Sequence, residues 1–173
     1  GGDIISLFLG PATVVLAVPL YQQVHSLKNY FVPIMVGIVC GIAVGLVSTL
    51  LCAWLVQMEP AIIASLVPKS ITTPIGMELS VELGGIQAIT VLAILVTGII
   101  GAVVAEFVFR VFRIEHPIAR GIALGCSAHA IGTSKALQLG HVEGAMSSLA
   151  IGVCGILPVF LAPPVWSLVS ALL

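Results

Sequence analysis

The apolar stretch from residue 60 to residue 83 is interrupted by Pro68-Lys69-Ser70-Ile71-Thr72-Thr73-Pro74. The residues before this break, from 61 to 67, and those after it, from 75 to 83, are mostly apolar. Because proline lacks a backbone donor and interrupts helices, the pattern predicts two half-helices separated by a polar break.

A second stretch, from residue 117 to residue 140, has the same organisation. Apolar residues 118–126 precede the polar segment Ser127-Ala128-His129-Ala130-Ile131-Gly132-Thr133, and a second half-helix is predicted over 134–139. Unpaired backbone groups are tolerated at membrane depth only where protein or water satisfies them, so both breaks are expected to face inward.

Uninterrupted apolar segments surround the two broken ones. Three are long enough to span a bilayer, which needs about 20 apolar residues, and they cover 33–56, 85–108 and 144–173. A shorter run, Ile4 to Leu20, contains Pro11 and Pro19 and is expected either to span with a kink or to lie partly in the interface. The sequence therefore predicts a single all-α integral membrane domain over 1–173, with about four spanning helices and two broken or re-entrant hairpins.

The composition supports a membrane protein and excludes several other classes. The chain is 60 % apolar and 8 % charged, whereas a soluble domain has about 25 % charged residues. Six Lys and Arg residues and a net charge of -1 give no basic surface for nucleic acid. The four cysteines lie far apart in apolar runs, so we expect no metal site.

An internal repeat is predicted from self-similarity. Residues 87–102 match residues 144–159 at seven of sixteen positions, and the polar breaks align 60 residues apart, with Thr73 opposite Thr133. The two repeat units, 60–108 and 117–165, each contain a broken segment followed by a spanning helix. Duplicated broken helices point to a transporter binding site.

The positions of the cations favour one topology. If both broken segments return to the side from which they enter, four cations fall on one face, as the positive-inside rule requires: Lys28, Arg110, Arg113 and Arg120. If the segments cross instead, Lys28 lies opposite the arginines. We therefore favour re-entrant hairpins from opposite faces, which makes the repeat inverted.

The two breaks contain the candidate binding residues. Half-helices that begin near Thr73 and Thr133 would present free N–H groups to an anion. Cationic and hydroxyl side chains lie beside them, so the expected ligand is a small carboxylate, and the predicted substrate-binding residues are Lys69, Ser70, Thr72, Thr73, Ser127, His129, Thr133, Ser134 and Lys135.

Structural roles compete with each of these assignments. Both lysines could extend to the interface, and the hydroxyls could satisfy freed carbonyl groups. His129 could be a neutral buried imidazole or a proton relay. Glu106 and Arg110, four residues apart, are expected to form a structural ion pair. Without a GxSxG motif or an acid placed near a nucleophile, we expect no catalytic residues, no enzyme activity and no cofactor beyond a coupled proton.

The breaks and several other blocks resemble the LrgB/CidB family of bacterial membrane proteins. The resemblance rests on residues 10–14 and 17–21, the first break, residues 117–125, the second break and residues 143–150. Members of that family usually have a further N-terminal stretch of about two spanning helices, so the chain is expected to lack them.

The resemblance implies two kinds of function. Some relatives are linked to pyruvate uptake, and a plastid relative exchanges glycolate and glycerate, which implies a carrier of small monocarboxylates such as glycolate, glycerate, pyruvate or lactate. Other relatives are antiholin-like proteins that act with a small holin-like membrane partner on murein hydrolase activity and cell lysis. The expected location is the bacterial inner membrane, or else the plastid envelope, and a homo-oligomer is expected.

Overall fold

A computed structural model describes residues 28–170 together with Tyr21. The described chain is all-α, as predicted, and contains no strand. Its α-helices are α1 Phe31–Leu55, α2 Pro60–Leu66, α3 Thr73–Glu82, α4 Gln87–Val111, α5 Pro117–Leu139 and α6 His141–Ser170, with a 3-10 turn at Val67–Ser70 between α2 and α3.

Three helices, α1, α4 and α6, are long and apolar enough to cross a membrane. The 25 residues of α1 and of α4 extend for about 37 Å, which exceeds the roughly 30 Å of a hydrocarbon core. The three predicted spanning segments are thus confirmed to within a few residues at each end. The fourth predicted segment, Ile4 to Leu20, lies outside the described residues.

The first broken segment folds back on itself as hairpin 1, formed by α2, the 3-10 turn and α3. The Ile86 amide, directly before α4, donates a 2.7 Å hydrogen bond to the Ser65 hydroxyl of α2. Thr90 of α4 donates to the Ser65 carbonyl at 2.9 Å. Since the chain returns to α2 after 21 residues, it leaves the hairpin at the side from which it entered.

The second broken segment folds back at a single residue, His129, and forms hairpin 2. His129 has φ 50° and ψ -129°, outside the helical region, within α5. Beyond it the chain reverses, so that Gly132 packs against Leu124 of the preceding limb. We call residues 117–128 the first limb and residues 130–139 the second limb.

Contacts with α6 confirm this reversal. Along the first limb, Gly121 lies against Met146 and Cys126 lies against Cys154, so this limb runs parallel to α6. Along the second limb, the order is opposite, because Thr133 bonds Ser147 whereas Leu137 lies against Gly144.

The two hairpins enter from opposite ends of the molecule. At one end, the Tyr30 ring before α1 meets the His116 ring before α5 edge to face, with centroids 6.2 Å apart. Lys28 therefore shares this end with Arg110, Arg113 and Arg120, and we call it the arginine end. Hairpin 1 begins after α1 has reached the other end, which we call the opposite end. The favoured arrangement of the cations is confirmed, whereas the sequence repeat itself stays a prediction.

Small residues bring α5 close to α6. A Cβ placed on Gly125 would lie 2.5 Å from the Ser147 carbonyl oxygen and 2.7 Å from the Ala150 Cβ. Close backbone approach of this kind is how helices associate in lipid, where the hydrophobic effect between helices is absent. The packing holds hairpin 2 against a helix that spans the membrane.

Candidate functional site

The tips of the two hairpins meet beside the middle of α4. Gly98 of α4 lies against the Ala128 carbonyl group, and Gly101 lies against the Ala128 side chain and the Ser127 hydroxyl. Lys69, at the tip of hairpin 1, is the charged residue that faces His129 at the tip of hairpin 2. Because hairpin 1 and hairpin 2 enter from opposite ends, this meeting point is at mid-depth.

A cavity of about 690 Å³ leads from the arginine end to the two tips. Tyr30 and His116 lie at its mouth, and Lys69, Ser70, Thr97 and Ser127 lie at its inner end. Gly45, near the centre of α1, packs against the Ser70 hydroxyl, so the inner end is near the middle of the membrane.

The walls of the cavity are mostly apolar and small. Gly37, Gly41 and Gly45 of α1 face the first limb of hairpin 2 and the 3-10 turn. These three glycines are spaced by four residues, a pattern that allows close helix packing. Their contacts here lie within the chain, and the missing side chains leave room for the cavity.

Lys69 has no carboxylate partner among residues 28–170. Its ammonium group is half-buried and lies 3.5 Å from the Ser70 hydroxyl, the one hydrogen bond recorded for it. An isolated cation at membrane depth is costly and is a mark of a functional site. A bound anion would supply the missing counter-charge.

His129 is only 3 % exposed, and neither of its ring nitrogens makes a hydrogen bond of good geometry in the described part of the chain, although the Lys69 backbone lies close to the ring. Buried polar groups are almost always hydrogen-bonded, and the exceptions call for an explanation. The His129 side chain does not line the cavity, whereas that of Ser127, two residues before it, does.

Thr72 and Thr73 begin the return helix of hairpin 1. Thr72 precedes α3 in an extended conformation, its carbonyl accepts the Gly76 amide at 2.8 Å, and Thr73 is the first residue of α3, as predicted. Both side chains are half-exposed, but neither lines the cavity. Contact of these residues with a ligand stays a prediction.

Three other candidate residues lie away from the cavity. Thr133 is fully buried, donates to the His129 carbonyl at 3.0 Å and lies 2.7 Å from the Ser147 hydroxyl. The Ser134 hydroxyl is exposed and donates to the Ala130 carbonyl at 3.1 Å. Lys135 forms an ion pair with Glu106.

The expected pairing of Glu106 with Arg110 is therefore wrong. Both residues lie on α4 near the arginine end, where the second limb of hairpin 2 returns and brings Lys135 within reach of the Glu106 carboxylate. The helix spacing predicted a local pair, but the fold supplies a closer cation from a distant part of the chain.

The sequence did not identify Thr97 as a site residue. It lines the cavity from α4, between the two tips. Thr90 and Thr97 are seven residues apart, which places them on one face of the helix. Two hydroxyls on one face of an apolar helix indicate that this face contacts polar groups, so the sequence could have identified Thr97 by this pattern.

The family model of the LrgB-like family matches residues 1–168. The chain belongs to this family. A member from Bacillus subtilis (strain 168), the uncharacterized protein YwbG, is 41 % identical over 94 % of this chain and 72 % of its own length. The antiholin-like protein LrgB of Bacillus mycoides (strain KBAB4) is 39 % identical over 94 % of this chain and 71 % of its own length.

These LrgB-family relatives agree with the resemblance predicted from the polar breaks. The antiholin-like protein LrgB of Bacillus cereus (strain B4264) is 38 % identical over 94 % of this chain and 71 % of its own length. No solved structure matches this chain. The LrgB-like chain is therefore an integral membrane protein of this family, with two hairpin tips at the inner end of a cavity of about 690 Å³.

Proposed function

We propose that this chain carries small monocarboxylate anions across a membrane and binds them where the two hairpin tips meet. The observation that supports this most directly is the position of Lys69, Ser70 and Ser127 at the inner end of a cavity open at one end. Glycolate, glycerate, pyruvate and lactate are the proposed substrates, because each is small and has one carboxylate and one further polar group.

The charge at the site favours an anion. Lys69 is half-buried and makes no ion pair among the described residues. The Ser70, Ser127 and Thr97 hydroxyls lie around the same end of the cavity and are suited to the remaining oxygens of a small acid. The mostly apolar walls leave room for a short carbon chain but provide few further polar contacts.

The architecture favours alternating access. Two hairpins that enter from opposite ends can each act as a gate at a central site, the pattern found in secondary transporters with inverted repeats. In the present conformation the cavity opens at the arginine end. Movement of hairpin 2 relative to α1 and α4 would close that mouth.

Proton coupling is the proposed energy source, and His129 is the proposed coupling residue. Imidazole is the side chain whose charge ordinarily changes between pH 5 and 8. The His129 ring is buried where the hairpin tips meet, close to Lys69. The proposed cycle uses no other cofactor and includes no chemical conversion of the substrate. The proposed location is the bacterial inner membrane, or a plastid envelope for a plastid relative.

The names of the relatives favour a second function. LrgB proteins from two Bacillus species are called antiholin-like. A regulator of this kind would act on murein hydrolase activity and lysis through a small holin-like membrane partner, or as a homo-oligomer. It would not require a cation at the inner end of a cavity.

The test is uptake of labelled glycolate and pyruvate into proteoliposomes that contain the full chain, with and without a proton gradient. We expect saturable uptake that falls at least about tenfold in Lys69→Met, because a hydrogen bond to a charged group contributes about 1.5 to 3 kcal/mol. Lys28→Met makes the same change outside the cavity and should retain uptake. Thr73→Val tests the predicted contribution of the first break.

The two functions differ in this assay. If the Lys69→Met variant and the unaltered protein show equal uptake, the proposed binding site is rejected. Absence of uptake for every small monocarboxylate by folded protein would reject the carrier and make regulation through a holin-like partner the leading function. If the His129→Gln variant retains uptake but its uptake rate no longer depends on the proton gradient, the coupling role of His129 is supported.

A further inference from the structure

A second cavity, of about 300 Å³, lies at the arginine end between the end of α4 and hairpin 2. It shares no lining residue with the cavity of about 690 Å³ that ends at the hairpin tips, which we call the transport cavity. Three arginines and two glutamates line it, together with Phe109 and Leu139: Arg110, Arg113, Arg120, Glu106 and Glu115.

The charges around this cavity are not balanced. Glu106 is already paired with Lys135, and none of the three arginines forms an ion pair among residues 28–170. The three arginines and Lys135 together exceed the two glutamates by two positive charges. Guanidinium groups without carboxylate partners are well suited to bind an anion from outside the chain.

One of the arginines, Arg120, is held by the surrounding structure. The Arg120 Nε donates a 2.7 Å hydrogen bond to the Ile114 carbonyl, and its guanidinium lies 5.7 Å from the centre of the Phe109 ring. This orientation leaves the two terminal amino groups of Arg120 for a ligand. Arg110 and Arg113 are exposed residues at the end of α4 and in the turn that follows it.

The cavity lies at the depth of lipid headgroups. It surrounds the last turn of α4, a helix longer than the hydrocarbon core is thick. Phe107, Val111 and Phe112 lie on the same part of the chain and are strongly exposed, so they offer an apolar surface beside the arginines. Basic pockets at the ends of membrane helices are known sites for anionic headgroups.

We propose that this cavity binds a phosphate group, as part of an anionic phospholipid or as free phosphate. Three arginines line it, one each from α4, the following turn and the first limb of hairpin 2. An anion bound here would link the end of α4 to the base of hairpin 2. The site is independent of the transport function proposed above.

The test uses the full chain, purified and freed of lipid in a neutral detergent. Its unfolding midpoint is measured against increasing phosphatidylglycerol, phosphatidylcholine or inorganic phosphate, with chloride added to equal ionic strength. Phosphatidylglycerol should raise the midpoint in a saturable way, since a ligand of the folded state stabilises it. Phosphatidylcholine, which is zwitterionic, should raise it much less.

Arg110→Gln and Arg113→Gln should each raise the half-saturating concentration of phosphatidylglycerol about tenfold, because each removes a charge-assisted contact and so weakens binding. Lys28→Gln removes a cation from the same end but outside the cavity, and should change it less than about twofold. A saturable response to inorganic phosphate that Arg113→Gln removes would support the site and assign it to soluble phosphate.

Equal weakening in Lys28→Gln and Arg113→Gln would overturn the proposal, because the response would then reflect the overall charge of this end. The absence of a response to either phosphate compound would also overturn it. A chloride response as large as that to phosphate would do the same. In each of these cases the arginines would serve only to orient the chain in the membrane.

Discussion

At the scale of single residues, hydroxyl groups at the second break serve two different purposes. The Ser127 and Ser134 side chains both donate to the carbonyl four residues earlier, at 2.6 and 3.1 Å, and so support the two limbs of hairpin 2. Ser127 also lines the transport cavity, whereas Ser134 does not. Ser127 and Ser134 therefore make the same local hydrogen bond, but only Ser127, on the N-terminal side of His129, is placed where it could contact a ligand.

Ser127→Ala and Ser134→Ala test this difference with identical chemical changes. If the Ser127 hydroxyl contacts the substrate, its loss should raise the KM for uptake about fivefold, the effect of one hydrogen bond of about 1 kcal/mol. Ser134→Ala should leave the KM within about twofold. The measurement is the concentration dependence of glycolate uptake in proteoliposomes, and similar KM values for the two variants would exclude Ser127 from the site.

The local bonds also explain which part of the second break was predictable. The sequence predicted a break over the seven residues from Ser127 to Thr133, but the helix is interrupted only at His129. The Ser127 and Thr133 hydroxyls each bond to the carbonyl four residues earlier, that of Ala123 and that of His129, and both residues remain helical. A hydroxyl that satisfies a helix and one that faces a ligand look alike in a sequence.

At the scale of elements, the first break was predictable because prolines mark it. Pro68 lies in the 3-10 turn and Pro74 near the start of α3, on either side of extended Ile71. The ion pair between Lys135 and Glu106 was not predictable, since it depends on the return of the second limb to α4. Local chemistry therefore located the hairpins, whereas contacts between them required the fold.

The two hairpins are fixed to the following spanning helix by similar bonds. Thr90 of α4 bonds the Ser80 hydroxyl of hairpin 1 at 2.7 Å, and Ser147 of α6 lies 2.7 Å from the Thr133 hydroxyl of hairpin 2. Thr90 and Ser147 are paired by the predicted sequence repeat. This correspondence supports the repeat, which still stays a prediction.

The packing of hairpin 2 against α6 leads to a prediction about stability. Gly125→Ala should lower the free energy of unfolding by about 1 to 3 kcal/mol, because the added methyl group would overlap the Ser147 carbonyl and Ala150. At Gly152 on α6, an added Cβ would have no atom of another described element within 4 Å. Gly152→Ala should therefore stabilise the helix by up to about 1 kcal/mol.

Thermal unfolding in detergent measures both effects. The two variants should shift the unfolding midpoint in opposite directions, by about 2 to 4 °C for each kcal/mol in a chain of this size. If Gly125→Ala were as stable as Gly152→Ala, the close approach of the first limb to α6 would be incorrect.

At the scale of the whole molecule, the arginine end and the cavity mouth coincide. Lys28, Arg110, Arg113 and Arg120 lie at the end where Tyr30 meets His116, and these two aromatic residues also line the cavity. The positive-inside rule predicts that this end faces the cytoplasm. In that orientation the mouth of the cavity would face the cytoplasm.

Two matched cysteine variants decide the orientation. Glu82, at the end of α3, and Glu115, in the turn before α5, are both exposed and lie at opposite ends. In a chain without its four native cysteines, a membrane-impermeant thiol reagent applied to intact cells should label Glu82→Cys. Glu115→Cys should be labelled only after permeabilisation.

The reverse result would have consequences for both proposed sites. Labelling of Glu115→Cys in intact cells would place the arginines outside, so the cavity would open outward and the phosphate site would face the outer leaflet. The carrier would remain possible in that orientation, because a central site between opposed hairpins serves either side. The order of its cycle would change, however: the conformation described here would take up substrate from outside, and closing hairpin 2 would be the step that commits it to the cytoplasm.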